Sequence, residues 1–289
     1  MSSYHYGNPN KSNSWEYVVS IFAAHESVKS EKTSSLPLVQ FWKPDLRLAV
    51  PRNKERCADG FFRACKIGDL ALNLREAEFS FEYPVPVQGG RGKASMTDLM
   101  ITTEKFAMAI EAKWTECREK YKPTIEEWLK EGKNLENRKL VLIGWINYIN
   151  KFLPKCLDVD KINLAKIPYQ FLHRIASACY VASLKKDIVP VVAYQLFYDD
   201  GHNGTENEMK DFAVELKEAY NELFQGNAPV RFNVIQVKTE IDKVVKDAIQ
   251  GIRSERADAL NDIFLIMQEK DVYRFLSIDS AFQDENCNS

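Results

Sequence analysis

The stretch that decides the fold runs Ala94-Ser-Met-Thr-Asp98-Leu-Met-Ile-Thr102 and continues, after three residues, as Phe106-Ala-Met-Ala-Ile-Glu111-Ala-Lys113. Both halves are rich in apolar residues, and the three residues between them are polar. This pattern predicts two strands joined by a short turn. The first strand has one acidic residue, and the second ends in Glu-x-Lys.

A turn centred on Glu104-Lys105 sets the register of this hairpin. Counting outward from the turn brings Asp98 directly opposite Glu111, and opposed residues share a face with Cβ atoms about 4.5–5.5 Å apart. Because side chains alternate along a strand, Lys113 lies on the same face as Glu111. Two carboxylates so close favour a hard divalent cation between them. A turn with an odd number of residues would break this register unless a bulge restored it.

The Asp98 and Glu111-x-Lys113 pattern resembles the PD-(D/E)XK nuclease superfamily, which has the restriction-endonuclease-like fold. Thr97 stands where that family usually has proline. The resemblance implies that Asp98 and Glu111 bind the metal and that Lys113 orients the attacking water. The alternative is a surface hairpin with solvated charges. The apolar neighbours of these residues argue against that alternative, because buried charges are costly unless they are paired or coordinate a metal.

A second segment, from Pro168 to Ala182, predicts an amphipathic helix that proline opens. One stripe of this helix is polar and consists of Gln170, His173, Arg174 and Ser177. The segment resembles the glutamine-bearing helix of RecB-like members of the superfamily, which implies that Gln170 approaches the attacked phosphate. We expect Arg174, one turn further along, to contact a phosphate as well. A plain helix with a polar outer face is the alternative.

Basic residues near the hairpin are candidates for substrate binding. Val87-Gln-Gly-Gly-Arg91-Gly-Lys93 lacks the spacing of a phosphate-binding loop, so it predicts either a basic loop facing DNA or a simple turn. Arg118 and Lys120 extend the basic region beyond Lys113. A further acidic ligand on an upstream helix is common in the resembled superfamily, and the candidates here are Glu16 and Glu55. Asp199, Asp200 and His202 lie in a glycine- and asparagine-rich segment that predicts a turn rather than a second metal site.

Composition limits the class of protein. The 289 residues carry 39 basic and 41 acidic side chains, for a net charge of -2, so any nucleic-acid contact must depend on local positive charge. Apolar residues make up 45% of the chain, enough for a large core.

No apolar run is long enough to span a membrane, and the first residues do not resemble a signal peptide, so we expect a cytoplasmic protein. The six cysteines lack zinc-site spacing.

The resemblance and the order of predicted elements imply one α/β domain with a restriction-endonuclease-like core, in which helices flank a central mixed β-sheet. The core spans about residues 50–240, with an N-terminal helical extension at 1–49 and a C-terminal helical segment at 241–289. Residues 187–198 read as a buried strand. We predict a loop from Glu31 to Pro51, a last strand from Val230 to Val237, a helical segment from Ser254 to Leu276 and a frayed tail from Asp279.

The resemblance therefore implies an endonuclease that needs Mg²⁺, or Mn²⁺ in its place, and hydrolyses DNA phosphodiester bonds. Its role would be in restriction, in defence against mobile DNA or in repair. The expected partners are DNA and a second copy or partner subunits, with no membrane. The alternative is a catalytically silent nuclease-like module that binds nucleic acid or assembles with other subunits.

Overall fold

Seven strands form one mixed sheet in the computed structural model, which describes residues 2–7, 13–26, 32–44, 46, 55–67, 76–114, 123–200, 205–226, 230–243, 246–247 and 262–283. The strands lie in the sheet in their chain order. The β1–β2, β4–β5 and β5–β6 pairs are parallel, and the other neighbours are antiparallel. The strands are β1 (Ser3–Tyr6), β2 (Glu78–Val85), β3 (Ser95–Thr102), β4 (Phe106–Lys113), β5 (Val189–Tyr198), β6 (Arg231–Ile241) and β7 (Tyr273–Gln283).

Eight α-helices whose bounds lie in the described segments, together with the short 3-10 helix Val159–Lys161, surround this sheet. Local signals explain several of their starts: the Ser14 side chain accepts the Tyr17 N–H, and Thr124 and Glu127 form a capping box. None of these helices combines the length and apolarity that crossing a bilayer requires. The helices are α1 (Trp15–His25), α2 (Ser35–Phe41), α3 (Cys57–Ala64), α4 (Ile125–Glu131), α5 (Leu135–Asn150), α6 (Tyr169–Ala182), α7 (Thr205–Phe224) and α8 (Asp262–Glu269).

The hairpin of β3 and β4 has the register that the sequence predicts. Leu99 pairs with Ile110, and Thr102 pairs with Ala107. The turn is closed by the Thr103 N–H, which donates to the Phe106 carbonyl over 2.9 Å. Continued by one residue, this register brings Asp98 level with Glu111. The apolar side chains of β4 are buried on both faces, so the strand holds the acidic pair firmly.

The predicted buried strand is also confirmed. β5 lies between β4 and β6, parallel to both, and its eight central residues are buried. Two crossover connections cover the faces of this region, which explains why the strand is a nearly continuous apolar run. The centre of the sheet is therefore the part of the fold that the sequence pattern describes best.

Four predictions about the flanking segments are wrong. The predicted loop from Glu31 to Pro51 contains α2, where Pro37 falls in the first turn and so breaks no helical hydrogen bond. Residues 231–241 do not form the last strand, because β7 pairs with them along its length. The predicted helix ending at Leu276 stops at Glu269, and Asp279 lies inside β7 rather than in a frayed tail.

Both ends of the chain contribute strands, which the predicted helical extensions did not include. β1 adds a parallel strand beside β2, and β7 adds an antiparallel strand beside β6. Gln40 joins α2 to β7: its side-chain oxygen accepts the Val272 and Tyr273 N–H groups, and its amide donates to the Tyr273 carbonyl. The N-terminal helices are thereby fixed against the sheet, close to the cavity described next.

Candidate functional site

Four predicted site residues meet at one cavity of about 240 Å³. Asp98 comes from β3, Glu111 and Lys113 come from β4, and Gln170 comes from the first turn of α6. The opposite wall consists of residues of α1, α2 and the segment between them. The hairpin register and the packing of α6 on β4 together bring these side chains to a common point.

Glu111 is the centre of the polar contacts. It is 1% exposed, and the Lys113 ammonium lies 2.7 Å from its Oε1 atom. The Gln170 amide donates to the same oxygen, and the Arg174 guanidinium pairs with Oε2. Burial alone would raise the pKa of Glu111, but the charges of Arg174 and Lys113 outweigh burial and lower it. Glu111 is therefore an ionised carboxylate held by three donors.

Asp98 has weaker partners than Glu111. Its Oδ2 atom accepts the Ala112 N–H over 2.8 Å, and its Oδ1 atom lies 3.8 Å from the Arg174 guanidinium. Burial and the nearby charge of Glu111 raise the pKa of Asp98 to about 7. The two carboxylates thus repel each other, and the positive groups around them compensate Glu111 more than Asp98.

Arg174 occupies a different environment from the one expected. Its side chain is 1% exposed, and it donates to the Met96 carbonyl over 2.9 Å as well as to Glu111. The polar stripe of α6 faces β3 and β4 rather than the cavity mouth, so the guanidinium is buried against the acidic pair. Arg174 holds Glu111 in this structure, and its contact with a phosphate stays a prediction.

The rest of the stripe also faces the strands. The His173 ring nitrogen Nδ1 and the Ser95 hydroxyl lie 2.9 Å apart, and burial lowers the pKa of His173 to about 3. Ser177 donates to the His173 carbonyl over 2.7 Å. The Ser95–His173 contact joins α6 to β3 near Gln170, whereas the Ser177 hydrogen bond lies within α6.

Glu82 lines the cavity and was missed by the sequence reasoning. It lies in β2 between Phe81, which pairs with Leu99, and Tyr83, which pairs with Thr97, so it is at the level of Asp98. Its φ of 48° is in the left-handed region. Burial, followed by the charge of Asp98, raises the pKa of Glu82 to about 8. The sequence feature that could have indicated Glu82 is a glutamate within the aromatic strand pattern Phe-Ser-Phe-Glu-Tyr.

The two residues considered as a further acidic ligand, Glu16 and Glu55, do not lie at the cavity. Glu16 is exposed on α1, and Glu55 pairs with Arg63 over 2.9 Å. Neither lines the cavity, whereas Glu26, directly after α1, does. A helix of the N-terminal extension therefore does end in a cavity acid, but that acid lies ten residues beyond Glu16, the position considered.

Arg91 and Lys93 are exposed in the loop between β2 and β3, and neither lines the cavity. The Asn137 side chain fastens this loop to α5, because it accepts the Arg91 N–H over 2.7 Å and donates to the Arg91 carbonyl over 2.8 Å. Substrate binding by both residues stays a prediction. Arg118, Lys120 and His202 lie outside the described residues.

The donor set suits a hard cation, although no three acidic, histidine or cysteine side chains in the described ranges already form a metal-binding group. Glu82, Asp98 and Glu111 supply only carboxylate oxygens, which Mg²⁺ and Mn²⁺ prefer. Burial and the neighbouring carboxylates raise the pKa values of Glu82 and Asp98. An added cation would relieve that repulsion, so the residues fit a divalent ion.

Comparison with known proteins gives one match. No curated protein and no solved structure is significantly similar to the chain. The model of a family described as a domain of unknown function, DUF6946, matches residues 11–243. This span includes β2 to β6 and every residue of the cavity. Since the match covers most of the sequence, the chain belongs to the DUF6946 family.

Proposed function

We propose that this protein is a metal-dependent nuclease that hydrolyses DNA phosphodiester bonds. The observation that carries the proposal is the convergence of Asp98, Glu111, Lys113 and Gln170 on one cavity. Carboxylates that suit a hard cation, a lysine and an amide donor are groups that can together support metal-assisted hydrolysis of a phosphodiester. Asp98, Glu111 and Lys113 come from one hairpin, and the packing of α6 on β4 brings Gln170 to them from 59 residues beyond Glu111.

The order of elements supports the same proposal. A helix, α3, precedes three antiparallel strands, β2 to β4, and α6 then leads to β5, which is parallel to β4. This αβββαβ order is similar to the core of the restriction-endonuclease-like fold. The acidic pair lies on its second and third strands, where the PD-(D/E)XK resemblance implies it should be.

Asp98 and Glu111 would hold the divalent ion, with Glu82 beside them. When bound, Mg²⁺ or Mn²⁺ supplies positive charge for the phosphate and acidifies the attacking water. Lys113 is a cation of the chain itself beside the acidic pair, 2.7 Å from Glu111, and would stabilise an anionic phosphate oxygen. Gln170 orients Glu111 from one side, and Arg174 keeps it ionised from the other.

DNA is proposed as the substrate through the family resemblance, with a role in restriction, defence against mobile DNA or repair. A net charge of -2 gives no general attraction to nucleic acid. Binding would therefore depend on local donors such as the exposed Arg91 and Lys93, whose loop is held on α5. Such contacts make DNA affinity strongly dependent on salt.

One observation favours a second function, a nuclease-like module without catalysis. Both oxygens of Glu111 are already bound by side chains of the protein: Lys113 and Gln170 on one, and Arg174 on the other. An acidic site that is neutralised internally can persist without a metal. Such a module would bind nucleic acid or a partner subunit but would leave phosphodiester bonds intact.

Incubation of the protein with supercoiled, linear and single-stranded DNA distinguishes the two functions. Each substrate is tested with Mg²⁺, with Mn²⁺ and with a chelator. A nuclease cleaves at least one substrate with the metals and none with the chelator. Intact DNA in every metal condition, with a shift in its electrophoretic mobility, would instead support the binding module.

A further inference from the structure

The loop between β2 and β3 is bound to α5 by one polar side chain. The Asn137 side-chain oxygen accepts the Arg91 N–H over 2.7 Å, and the Asn137 amide donates to the Arg91 carbonyl over 2.8 Å. One side chain thus satisfies both backbone groups of a single loop residue. These two hydrogen bonds fix the backbone of Arg91 and leave its side chain exposed.

Two glycines let the same loop lie directly on the helix. A Cβ atom at Gly90 would lie 2.4 Å from the Val141 side chain, and one at Gly144 would lie 1.9 Å from the Gln88 carbonyl oxygen. Both distances are too short for real atoms, so this separation of loop and helix requires glycine at both positions. The loop therefore packs against the backbone of α5 independently of the Asn137 hydrogen bonds.

The charged residues of this fixed loop are all positive. They are Arg91 and Lys93, and no acidic residue occurs from Val85 to Thr97. Both side chains are exposed, and neither pairs with an acid in the described part of the chain. The whole protein has a net charge of -2 and so has no general excess of positive charge. The loop therefore presents two cations at a defined place, which suits an anionic partner.

The two strands that carry the loop also carry cavity residues. Glu82 lies three residues before the end of β2, and Asp98 lies three residues after the start of β3. Three residues span about 10 Å along a strand, and successive phosphates of one DNA strand are about 3.4 Å apart along the duplex axis. The loop thus begins at a distance of about three nucleotides from the acidic pair.

We infer that Asn137 is a positioning residue, which holds Arg91 and Lys93 in place to bind phosphates that flank the cleaved bond. The inference rests on the proposed function and identifies a polynucleotide, rather than a small phosphodiester, as the class of substrate. A loop that is fixed before binding loses little conformational entropy when DNA binds. It therefore gives a higher affinity than a mobile loop with the same charges.

A double-mutant cycle tests the inference. Asn137→Ala should weaken the binding of fluorescently labelled duplex or single-stranded DNA by about 10-fold, because the loop must then become ordered on binding. In a variant that combines Arg91→Gln with Lys93→Gln, the same change should weaken binding by less than about 2-fold, since no phosphate contact then depends on the loop. Fluorescence anisotropy at low ionic strength, with Ca²⁺ and with a chelator, measures all four dissociation constants.

The salt dependence of binding is a second measurement, and a purely structural role of Asn137 would not produce the expected pattern. Arg91→Gln with Lys93→Gln removes two phosphate contacts, so the slope of log affinity against log salt should fall by about 2 for duplex DNA. Asn137→Ala removes no charge and should keep the wild-type slope despite its lower affinity. Gly90→Ala displaces the loop from Val141 and should behave like Asn137→Ala.

Asn147→Ala is the matched control, because it changes an exposed asparagine further along α5 and should keep the wild-type affinity. Melting curves establish that each variant is folded. Equal losses of affinity from Asn137→Ala in the two backgrounds, or wild-type affinity of Asn137→Ala and Gly90→Ala, would overturn the positioning role. The nuclease proposal would then still stand if the wild type cleaves DNA. A wild-type protein that neither binds nor cleaves either form of DNA would overturn both.

Discussion

Asp98 and Glu111 lie on one face of one hairpin, yet their pKa values shift in opposite directions. Glu111 is buried and Asp98 is partly buried, so desolvation acts on both in the same sense. The difference comes first from Arg174, which pairs directly with Glu111 and remains 3.8 Å from Asp98, and then from Lys113, which lies 2.7 Å from Glu111. At this site the position of one guanidinium therefore decides which carboxylate is ionised and which is close to protonation.

Glu82 should make stability depend on pH. The pKa of Glu82 is raised to about 8, whereas a glutamate in the unfolded chain titrates near about 4.3. The contribution of its protonated form to the free energy of unfolding is therefore complete below about pH 4 and is lost as pH rises through about 8. With a chelator present, we expect Glu82→Gln to have the same melting temperature as the wild type at pH 5. At pH 9 we expect the melting temperature of Glu82→Gln to be higher than that of the wild type.

Glu104→Gln is the matched control for this prediction, because Glu104 is exposed in the hairpin turn. It should leave the melting temperature nearly unchanged across the same pH range. A difference between Glu82→Gln and wild type that fails to grow with pH would show that the carboxyl of Glu82 is not destabilised by its surroundings.

Arg174→Met should be one of the most destabilising single changes in the chain. It leaves Glu111 buried without its guanidinium, and breaking a buried ion pair from one side typically costs about 3–5 kcal/mol of the free energy of unfolding. Arg63→Met, which removes the exposed partner of the partly buried Glu55, should cost less than Arg174→Met does. Urea denaturation of both variants measures the contrast, and equal losses would contradict it.

At the scale of elements, α4 and α5 connect the hairpin to α6. The ring of Trp128 in α4 stacks on Tyr169 with centroids 3.9 Å apart and an interplanar angle of 9°. The Arg138 guanidinium lies 4.8 Å from the centre of the Trp128 ring, and the Trp145 indole donates to the Tyr169 hydroxyl. Tyr169 begins α6 and directly precedes Gln170, so this stack fixes the turn that contacts Glu111.

Trp128→Ala should therefore lower the free energy of unfolding by about 1–3 kcal/mol, through lost apolar burial and lost stacking. Trp128→Phe keeps an aromatic face for Tyr169 and should recover part of that loss. The measurement is again denaturant unfolding, combined with DNA cleavage. A Trp128→Ala variant as stable as the wild type would mean that the stack does not hold α6.

The elements of the site were predictable because their signals are local. The alternation around Glu111 and the short polar turn set the register of β3 and β4, and the stripe from Gln170 to Ser177 identified the correct helix. The flanking elements lacked such signals. β7 is a strand because it pairs with β6, and Glu82 enters the site through an unusual φ angle; neither fact is encoded in a local pattern.

The burial of Arg174 could not be read from the sequence for a related reason. A polar stripe on a helix predicts which residues share a face, but it does not say whether that face meets solvent or a strand. Here it meets β3 and β4, so the stripe serves as an internal polar interface.

At the scale of the whole molecule, the site combines distant parts of the chain. Glu26 belongs to the N-terminal segment, Gln170 follows the α4–α5 insertion, and β7 from the C-terminal region anchors α2 through Gln40. A ligand bound at this cavity is therefore linked to the global fold, and its binding energy should appear as stability of the entire protein.

Mg²⁺ should consequently raise the melting temperature of the wild type in a concentration-dependent manner, since a ligand that binds only the folded state stabilises it. Asp98→Asn should lose most of this rise. Asparagine is preferable to alanine here because it keeps an acceptor for the Ala112 N–H. Glu104→Gln should respond to Mg²⁺ like the wild type, and an equal response of Asp98→Asn would show that Asp98 is not a ligand.

Metal-dependent DNA cleavage by matched variants of one hairpin tests the central claim most directly. Asp98→Asn and Lys113→Met change the cavity, whereas Glu104→Gln and Lys105→Met change the exposed turn between the same strands. We expect the cavity variants to lower the initial rate with Mg²⁺ by about 100-fold or more and the turn variants to keep it. Absence of cleavage by the folded wild-type protein, or equal rates for Asp98→Asn and Glu104→Gln, would contradict the assignment of this cavity as a nuclease site.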